Sequence, residues 1–282
     1  MKKLSEQFED ASRPLVWLDA WEYCRRLILN SERLAWNDNA ALDDFIRKSD
    51  ALLHSGINCL PLTDFLAWVV DAMPNLRTDM AEKSRTGYAL KTLLSNEAVR
   101  QALIQAANIA ENAVPNKPLV LAVPSPRYLT TWAYEYAHGK APDVMGIDQA
   151  DSGGVYLSDF VSCLGHTHLS AIVVNESGWH PDGWREESSI YTPLRNVTGH
   201  QQWSLGVKIP FKPEDEATLA NFDFAICPLS LSSASLKAGI WLGEEFWQSD
   251  SSAVTEDFSF SVIPVDAIPE KVLEKRKRLG GF

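Results

Sequence analysis

Six titratable side chains follow closely on apolar runs, and that position makes them candidates for chemistry. Asp19 comes after Leu15-Val16-Trp17-Leu18, Asp64 after Ile57 to Thr63, Glu176 and His180 after Ala171-Ile172-Val173-Val174, and Glu244 and Glu245 after Ile240-Trp241-Leu242. A carboxylate or imidazole at such a place does acid–base work when its surroundings strip away water and shift its proton affinity. Arg127, in Pro124-Ser125-Pro126-Arg127-Tyr128, is the matching cation, stiffened by two prolines and suited to anchoring a substrate carboxylate. Ordinary readings stand beside these: Asp64 is well placed to cap a helix, and Arg127 to form one half of a surface ion pair. Trp17, Trp21 and Trp179 would supply an apolar wall for a small aromatic ligand.

The elements that must carry these residues are legible in the hydrophobic pattern. The stretch Leu169 to Trp184 organises the reading, because Ala171 to Val174 has the length and β-branching of a strand buried on both faces and delivers its polar residues at one end. Tyr156 to Leu164 before it alternates as a helix. Further strands are expected near Leu15–Leu18, Ile57–Leu62, Lys117–Val123, Phe222–Cys227, Ile240–Leu242 and Phe258–Ile263. Helices are expected over Asn39–His54, Phe65–Ala72, Asp79–Asn112 and the closing EKVLEKRKRL segment behind Pro269, with Gly139 to Gly154 as an irregular link. Strands recurring with helices between them, and polar residues gathered at strand ends, point to the α/β class and a (β/α)8 TIM-like barrel. No G-x-G-x-x-G follows a strand, which removes the main sign of a dinucleotide fold.

Composition narrows the partners. A chain of 282 residues with 45% hydrophobic content and no compositional break reads as one domain over residues 1–282. A formal charge of −11 disfavours nucleic-acid and anionic-membrane partners, which draw on clustered Lys and Arg. The N-terminus carries acids and lacks the apolar core of a secretory signal, and no apolar run is long enough to span a bilayer. Cys24, Cys59, Cys163 and Cys227 are far apart, as expected of reduced thiols in a cytoplasmic protein. Walker A, H-E-x-x-H, G-x-S-x-G and C-x-x-C patterns are absent. Cys163, His166 and His168 form the one compact metal-like cluster, but they precede the central strand, at the end of the barrel opposite the expected site, and a fourth ligand would have to be borrowed.

Several segments taken together resemble the uroporphyrinogen decarboxylase family. Arg13-Pro14-Leu15-Val16-Trp17-Leu18 resembles its opening strand; Pro61-Leu62-Thr63-Asp64-Phe65-Leu66 resembles the segment whose aspartate is central to decarboxylation. Lys117 to Tyr128, Tyr156 to Trp179 and Pro264 to Leu279 resemble later landmarks in the same order. The resemblance implies a uroporphyrinogen decarboxylase-like barrel, with elements shortened or missing. It also departs from that family: Leu18-Asp19-Ala20-Trp21-Glu22-Tyr23 stands where arginines hold the porphyrinogen carboxylates, so a substrate with many carboxylates would be repelled. The related methionine-forming methyltransferases hold zinc through His-x-Cys and a later Cys, and Cys227 has neither partner.

The expectation from sequence is therefore a cofactor-free lyase, with decarboxylation the first reaction to consider, acting on a small aromatic or carboxylate substrate. Asp64, Glu176 and His180 are the expected catalytic residues, and Trp17, Asp19, Trp21, Arg127 and Trp179 the expected substrate-binding ones, with no metal and no cofactor. Asp19, Asp64, Arg127, Glu176, His180 and Trp17 should then converge on one cavity at the C-terminal face. The alternatives are a methyltransferase of the same superfamily and a barrel that binds a ligand without catalysis. The expected partner is a small molecule, with a homodimer as the assembly to test.

Overall fold

The computed structural model describes residues 3–10, 15–176, 188–228, 231, 236–248 and 257–280. Its centre is an eight-stranded parallel sheet: β1 (Leu15–Asp19), β2 (Asn58–Pro61), β3 (Leu119–Pro124), β4 (Leu169–Asn175), β5 (Ser204–Lys208), β6 (Phe224–Cys227), β7 (Lys237–Leu242) and β8 (Phe258–Val262). The hydrogen-bonded order is β1-β8-β7-β6-β5-β4-β3-β2, with every neighbouring pair parallel. The sheet curls into a nearly closed (β/α)8 TIM-like barrel. At the seam between β1 and β2, the Gly56 amide donates to the Val16 carbonyl (2.7 Å), and the Leu18 amide to the Ser55 hydroxyl (3.0 Å). The expectation of missing strands is corrected, since all eight are present.

Alternation along the strands separates two apolar clusters. Ile57, Val120, Ala171, Val173, Phe224, Ile226, Phe258, Phe260 and Trp17 point inward and fill the barrel axis. Phe224 and Phe258 fit because glycines face them: a Cβ on Gly206 would lie 2.1 Å from the Phe224 ring, and one on Gly239 would lie 2.3 Å from the Phe258 ring. Helix α1 (Leu4–Asp10) closes the N-terminal end of the barrel. Its Leu4 and Phe8 join the inner cluster, Phe8 stacking on Phe258 at 4.2 Å, and the Ser5 amide donates to the Ser204 hydroxyl.

The second cluster lies between the strands and the surrounding helices. These are α2 (Trp21–Leu29), α3 (Asn39–Leu53), α4 (Leu62–Ala72), α5 (Pro74–Met80), α6 (Thr86–Ser95), α7 (Glu97–Ala113), α8 (Pro126–His138), α9 (Ile147–Val161), α10 (Thr192–Gln201), α11 (Glu244–Gln248) and α12 (Pro269–Gly280). Local chemistry sets several boundaries. Asp38 caps α3 by accepting from the Ala40 and Ala41 amides, and Asn96 caps α7 in the same way. Ser125 accepts from the Tyr128 amide at the start of α8, with Pro126 at the first helical position.

Two helical expectations need correction. The pattern over Asp79–Asn112 is broken into separate helices, because the extended Asn96 backbone, its N–H donating to the Leu93 carbonyl, ends one helix and its side chain begins the next. The expected link Gly139–Gly154 contains the first half of α9. Its two glycines are packing positions: a Cβ on Gly153 would lie 2.4 Å from the Thr130 hydroxyl, and one on Gly154 2.5 Å from the Ile190 carbonyl oxygen. No helix among the described residues is long and apolar enough to cross a membrane.

The glycine-facing rings give a direct test of how the barrel axis is filled. Gly206→Ala is expected to destabilise the protein by about 1–3 kcal/mol in urea unfolding, as overpacking of a filled core does. Adding Phe224→Leu should recover part of that loss, and a double variant no more stable than the single one would show that ring clearance is not the cause.

Candidate active site

A cavity of about 160 Å³ opens at the C-terminal strand ends on the β1–β4 side and extends along the β1–β2 seam to the outer helices. Its inner wall is formed by Asp19, Cys59, Pro61, Ala122, Pro124 and Asn175, all from strands. Its outer wall is Trp21 and Cys24 of α2 with Phe45, Ile46 and Leu53 of α3. The seam explains the location: where two strands lack ladder bonds, side chains from the helical layer reach the strand ends. Trp21 is fixed there by stacking on Trp36 at 5.2 Å and meeting Phe45 edge-on at 4.9 Å.

The electrostatic centre is Asp19 of β1 with Lys208 of β5. Lys208 ends a strand buried along its whole length, is itself 8% exposed, and extends over the rings of Trp241 (4.7 Å) and Phe260 (5.0 Å). Among the described residues no carboxylate lies within 4.0 Å of its ammonium, and the two ring faces are its nearest charge-compensating contacts. Burial lowers its proton affinity, while the Asp19 charge works the other way. Burial raises the Asp19 carboxyl above its ordinary 3.8, opposed by the Lys208 charge and the Trp21 backbone amide. The Cys59 thiol is pushed up by burial and by the neighbouring Asp19, which leaves it protonated and poorly nucleophilic. Cys24, also on the cavity, is pushed up to about 11 by burial.

The expected site residues are distributed unevenly around this centre. Asp19 and Trp21 lie on the cavity. Trp17 points into the barrel axis at 1% exposure, against Phe224, Phe258 and Phe260, and serves as core. Asp64 is the third residue of α4 rather than its cap, and its carboxylate accepts from Trp36 Nε1 (3.1 Å) and Arg25 Nη1 (3.5 Å) away from the cavity wall. Arg127 donates to the Met145 carbonyl at 2.8 Å, bracing the segment that leads into α9. Glu176 is buried directly after β4, with its amide donating to the Lys208 carbonyl at 2.9 Å. Glu244 and Glu245 are exposed in the first turn of α11. Trp179 and His180 lie outside the described residues. Of the six residues expected to share one cavity, Asp19 lines it, joined by Trp21 from outside that set, while Trp17, Asp64, Arg127 and Glu176 are not on its wall and His180 lies outside the described residues.

Lys208 is the residue that sequence reasoning missed. The usable signal was a lysine at the mouth end of the apolar run Leu205-Gly206-Val207, with the same inward parity as Gly206. Asn175 belongs beside it, since the two are register partners across β4 and β5. Of the Cys163, His166 and His168 cluster, His168 is engaged by Glu111. Among the described residues, no group of three or more His, Cys, Asp or Glu side chains is arranged to hold a metal ion.

The Asp19 shift carries a pH signature. An acid whose folded-state proton affinity is raised contributes stability that is present below its unfolded value and is lost as pH rises through the folded one. Asp19→Asn removes that loss. The Tm of Asp19→Asn relative to the parent should therefore move in the variant's favour as pH rises above about 4, the ordinary range of a free aspartate. A pH-independent difference would show that Asp19 is not desolvated in the folded protein.

No protein-family model matches this sequence, and no curated protein matches it, so the fold and the side chains of the cavity carry the functional assignment.

Proposed function

We propose that this chain is a cofactor-free lyase that removes a small group, carbon dioxide first among them, from a small carboxylate-bearing substrate held in the seam cavity. The observation that carries this reading is Asp19 on the wall of a cavity with an aromatic outer side at the C-terminal end of a (β/α)8 barrel, its carboxyl subject to the charge of Lys208. A cavity near 160 Å³ suits a ligand of roughly benzene size, by comparison with engineered apolar cavities of about 150 Å³ that bind benzene.

In this reading the Asp19 carboxyl, whose proton affinity desolvation raises, donates a proton to carbon once the leaving group has gone. Lys208 supplies positive charge where the carbanion or enolate develops, in surroundings that screen it weakly. Trp21 and Phe45 would contact an apolar or aromatic substrate body. Asp19 thereby takes the acid–base role first considered for Asp64, whose carboxylate is held by Arg25 and Trp36. The resemblance to uroporphyrinogen decarboxylase in the segments around Leu15, Asp64 and Lys117 supports the same broad class. The aspartate and tryptophan that replace that family's carboxylate-binding arginines favour a smaller, less charged substrate.

A second reading, a ligand-binding barrel without catalysis, draws on one observation: the barrel axis is filled by aromatic side chains, so the space for a ligand is confined to the seam. Turnover separates the two. With a panel of small oxo and aromatic carboxylic acids, the lyase reading expects release of carbon dioxide or another small fragment from at least one member. Asp19→Asn should then lower kcat by about 10²–10⁴-fold, the usual contribution of a positioned general acid. Saturable binding with no fragment released would favour the non-catalytic barrel.

A further inference from the structure

The seam cavity is long for its volume. Its wall runs along β2 from Ile57 to Pro61, about 13 Å at the rise of a parallel strand, and along α3 through Phe45, Ser49 and Leu53, successive turns of one helix face. A space near that of a benzene site, drawn out over such a distance, is a slot for a chain more than a pocket for a ring. The fold fixes direction along it: α3 descends toward the N-terminal end of the barrel, since Gly56, just beyond its end, donates to the Val16 carbonyl early in β1. Asp19, Trp21 and Asn175 therefore stand at the mouth. Ser49 lies deeper, about 6 Å along α3 from Phe45, the residue that meets Trp21 edge-on.

Polar groups at the far end are already served. Asn58 Nδ2 donates to the Ala110 carbonyl at 2.8 Å, the Ser55 hydroxyl accepts from the Leu18 amide, and Asp50 is paired with Lys117. Two groups on the outer wall are not: Trp21 Nε1 and Ser49 Oγ are buried without a hydrogen-bond partner, and the Cys24 thiol beside Ser49 is a weak hydrogen-bonding group. A buried polar group left unpaired costs free energy, and two on one cavity call for an explanation in what the cavity holds. Arg25 Nε and Arg26 Nε, also without partners, differ, because their guanidinium groups are bonded through other nitrogens.

We infer that the cavity takes a straight-chain acid of about six carbons with a hydroxyl or oxo group at its far end, the carboxylate held at the mouth by Trp21 Nε1–H and the distal oxygen by Ser49 Oγ–H. This rests on the lyase reading, in which the seam cavity is the substrate site, and names the substrate class. The length follows from the space available, that of a six-carbon ligand, and from the separation of the two partnerless groups by about one turn of the helical wall. Ser49 reaches the lumen by turning about χ1 between staggered positions, and the Trp21 indole by a tilt against Trp36. Methylenes between the two ends lie against Phe45 and Ile46. The oxygen belongs at the far end, because a hydroxyl nearer the carboxylate would face those apolar side chains, and a plain alkyl end would leave Ser49 unpaired. A ring of equal volume reaches one of the two groups but not both. Desolvation shifts Asp19 toward its protonated form and Lys208 adds positive charge, so a carboxylate is tolerated at the mouth.

The test is calorimetric titration of the full chain with 6-hydroxyhexanoate, hexanoate and benzoate. The expected result is that 6-hydroxyhexanoate binds about three- to tenfold tighter than hexanoate, the range of one net hydrogen bond, with benzoate the weakest. Ser49→Ala should erase the difference between the two chain acids, and Trp21→Phe should weaken both alike. Binding led by benzoate, equal affinity for the chain acids, a preference that survives Ser49→Ala, or no binding of any probe would overturn the inference. The order of affinities in the parent decides this even if a variant fails to fold. The lyase reading is judged separately, by carbon dioxide release from oxo acids. Release without the chain preference keeps the lyase and rejects this substrate class, whereas the expected order of binding without release keeps the ligand class and rejects the lyase.

Discussion

The aromatic filling of the barrel axis is the constraint on which the other features depend. Phe8, Phe224 and Phe258 form a connected set of rings, with Trp17 and Phe260 above them, and two glycines on β5 and β7 leave the volume that Phe224 and Phe258 occupy. Buried aromatic area of this kind contributes strongly to stability. With α1 seated beneath, the N-terminal end is closed. Polar inward positions are then tolerated mainly toward the other end, where Asp19, Asn175 and Lys208 are found.

Placing a carboxylate and an ammonium above such a floor has electrostatic consequences. Lys208 is buried and Asp19 partly so, and desolvation works against both charged forms, raising the proton affinity of one and lowering that of the other. The mutual charge interaction opposes both shifts. Cys59 shares the surroundings but stays a thiol, because the nearby carboxylate adds to the effect of burial.

The β1–β2 seam decides where a ligand has room. Elsewhere neighbouring strands are joined by ladders. At the seam, α2 and α3 contribute Trp21, Phe45 and Leu53 to the same cavity as Asp19. Asp64 matters here as a brace: its carboxylate ties α4 to Arg25 of α2 and to Trp36, whose ring supports Trp21. A residue first considered for chemistry thereby positions the wall of the cavity.

The alternation of apolar runs with helical segments was enough to determine the (β/α)8 class, most strand positions and the end of the barrel at which polar residues gather, because burial on both faces of a parallel strand leaves a continuous local signature. Asp19 and Trp21 were legible for the same reason, as residues immediately beyond an apolar run. Helix α9 was hidden because Gly153 and Gly154 look like loop residues until Thr130 and Ile190 are seen to require their missing side chains. Lys208 was hidden because its importance lies in what surrounds it: rings from β7 and β8 and a carboxylate from β1, all distant in sequence. The tertiary structure alone decided that Asp64 and Arg127 are engaged by neighbours and that Trp17 fills the axis, since direction and burial depend on barrel closure, and no short stretch of chain encodes that.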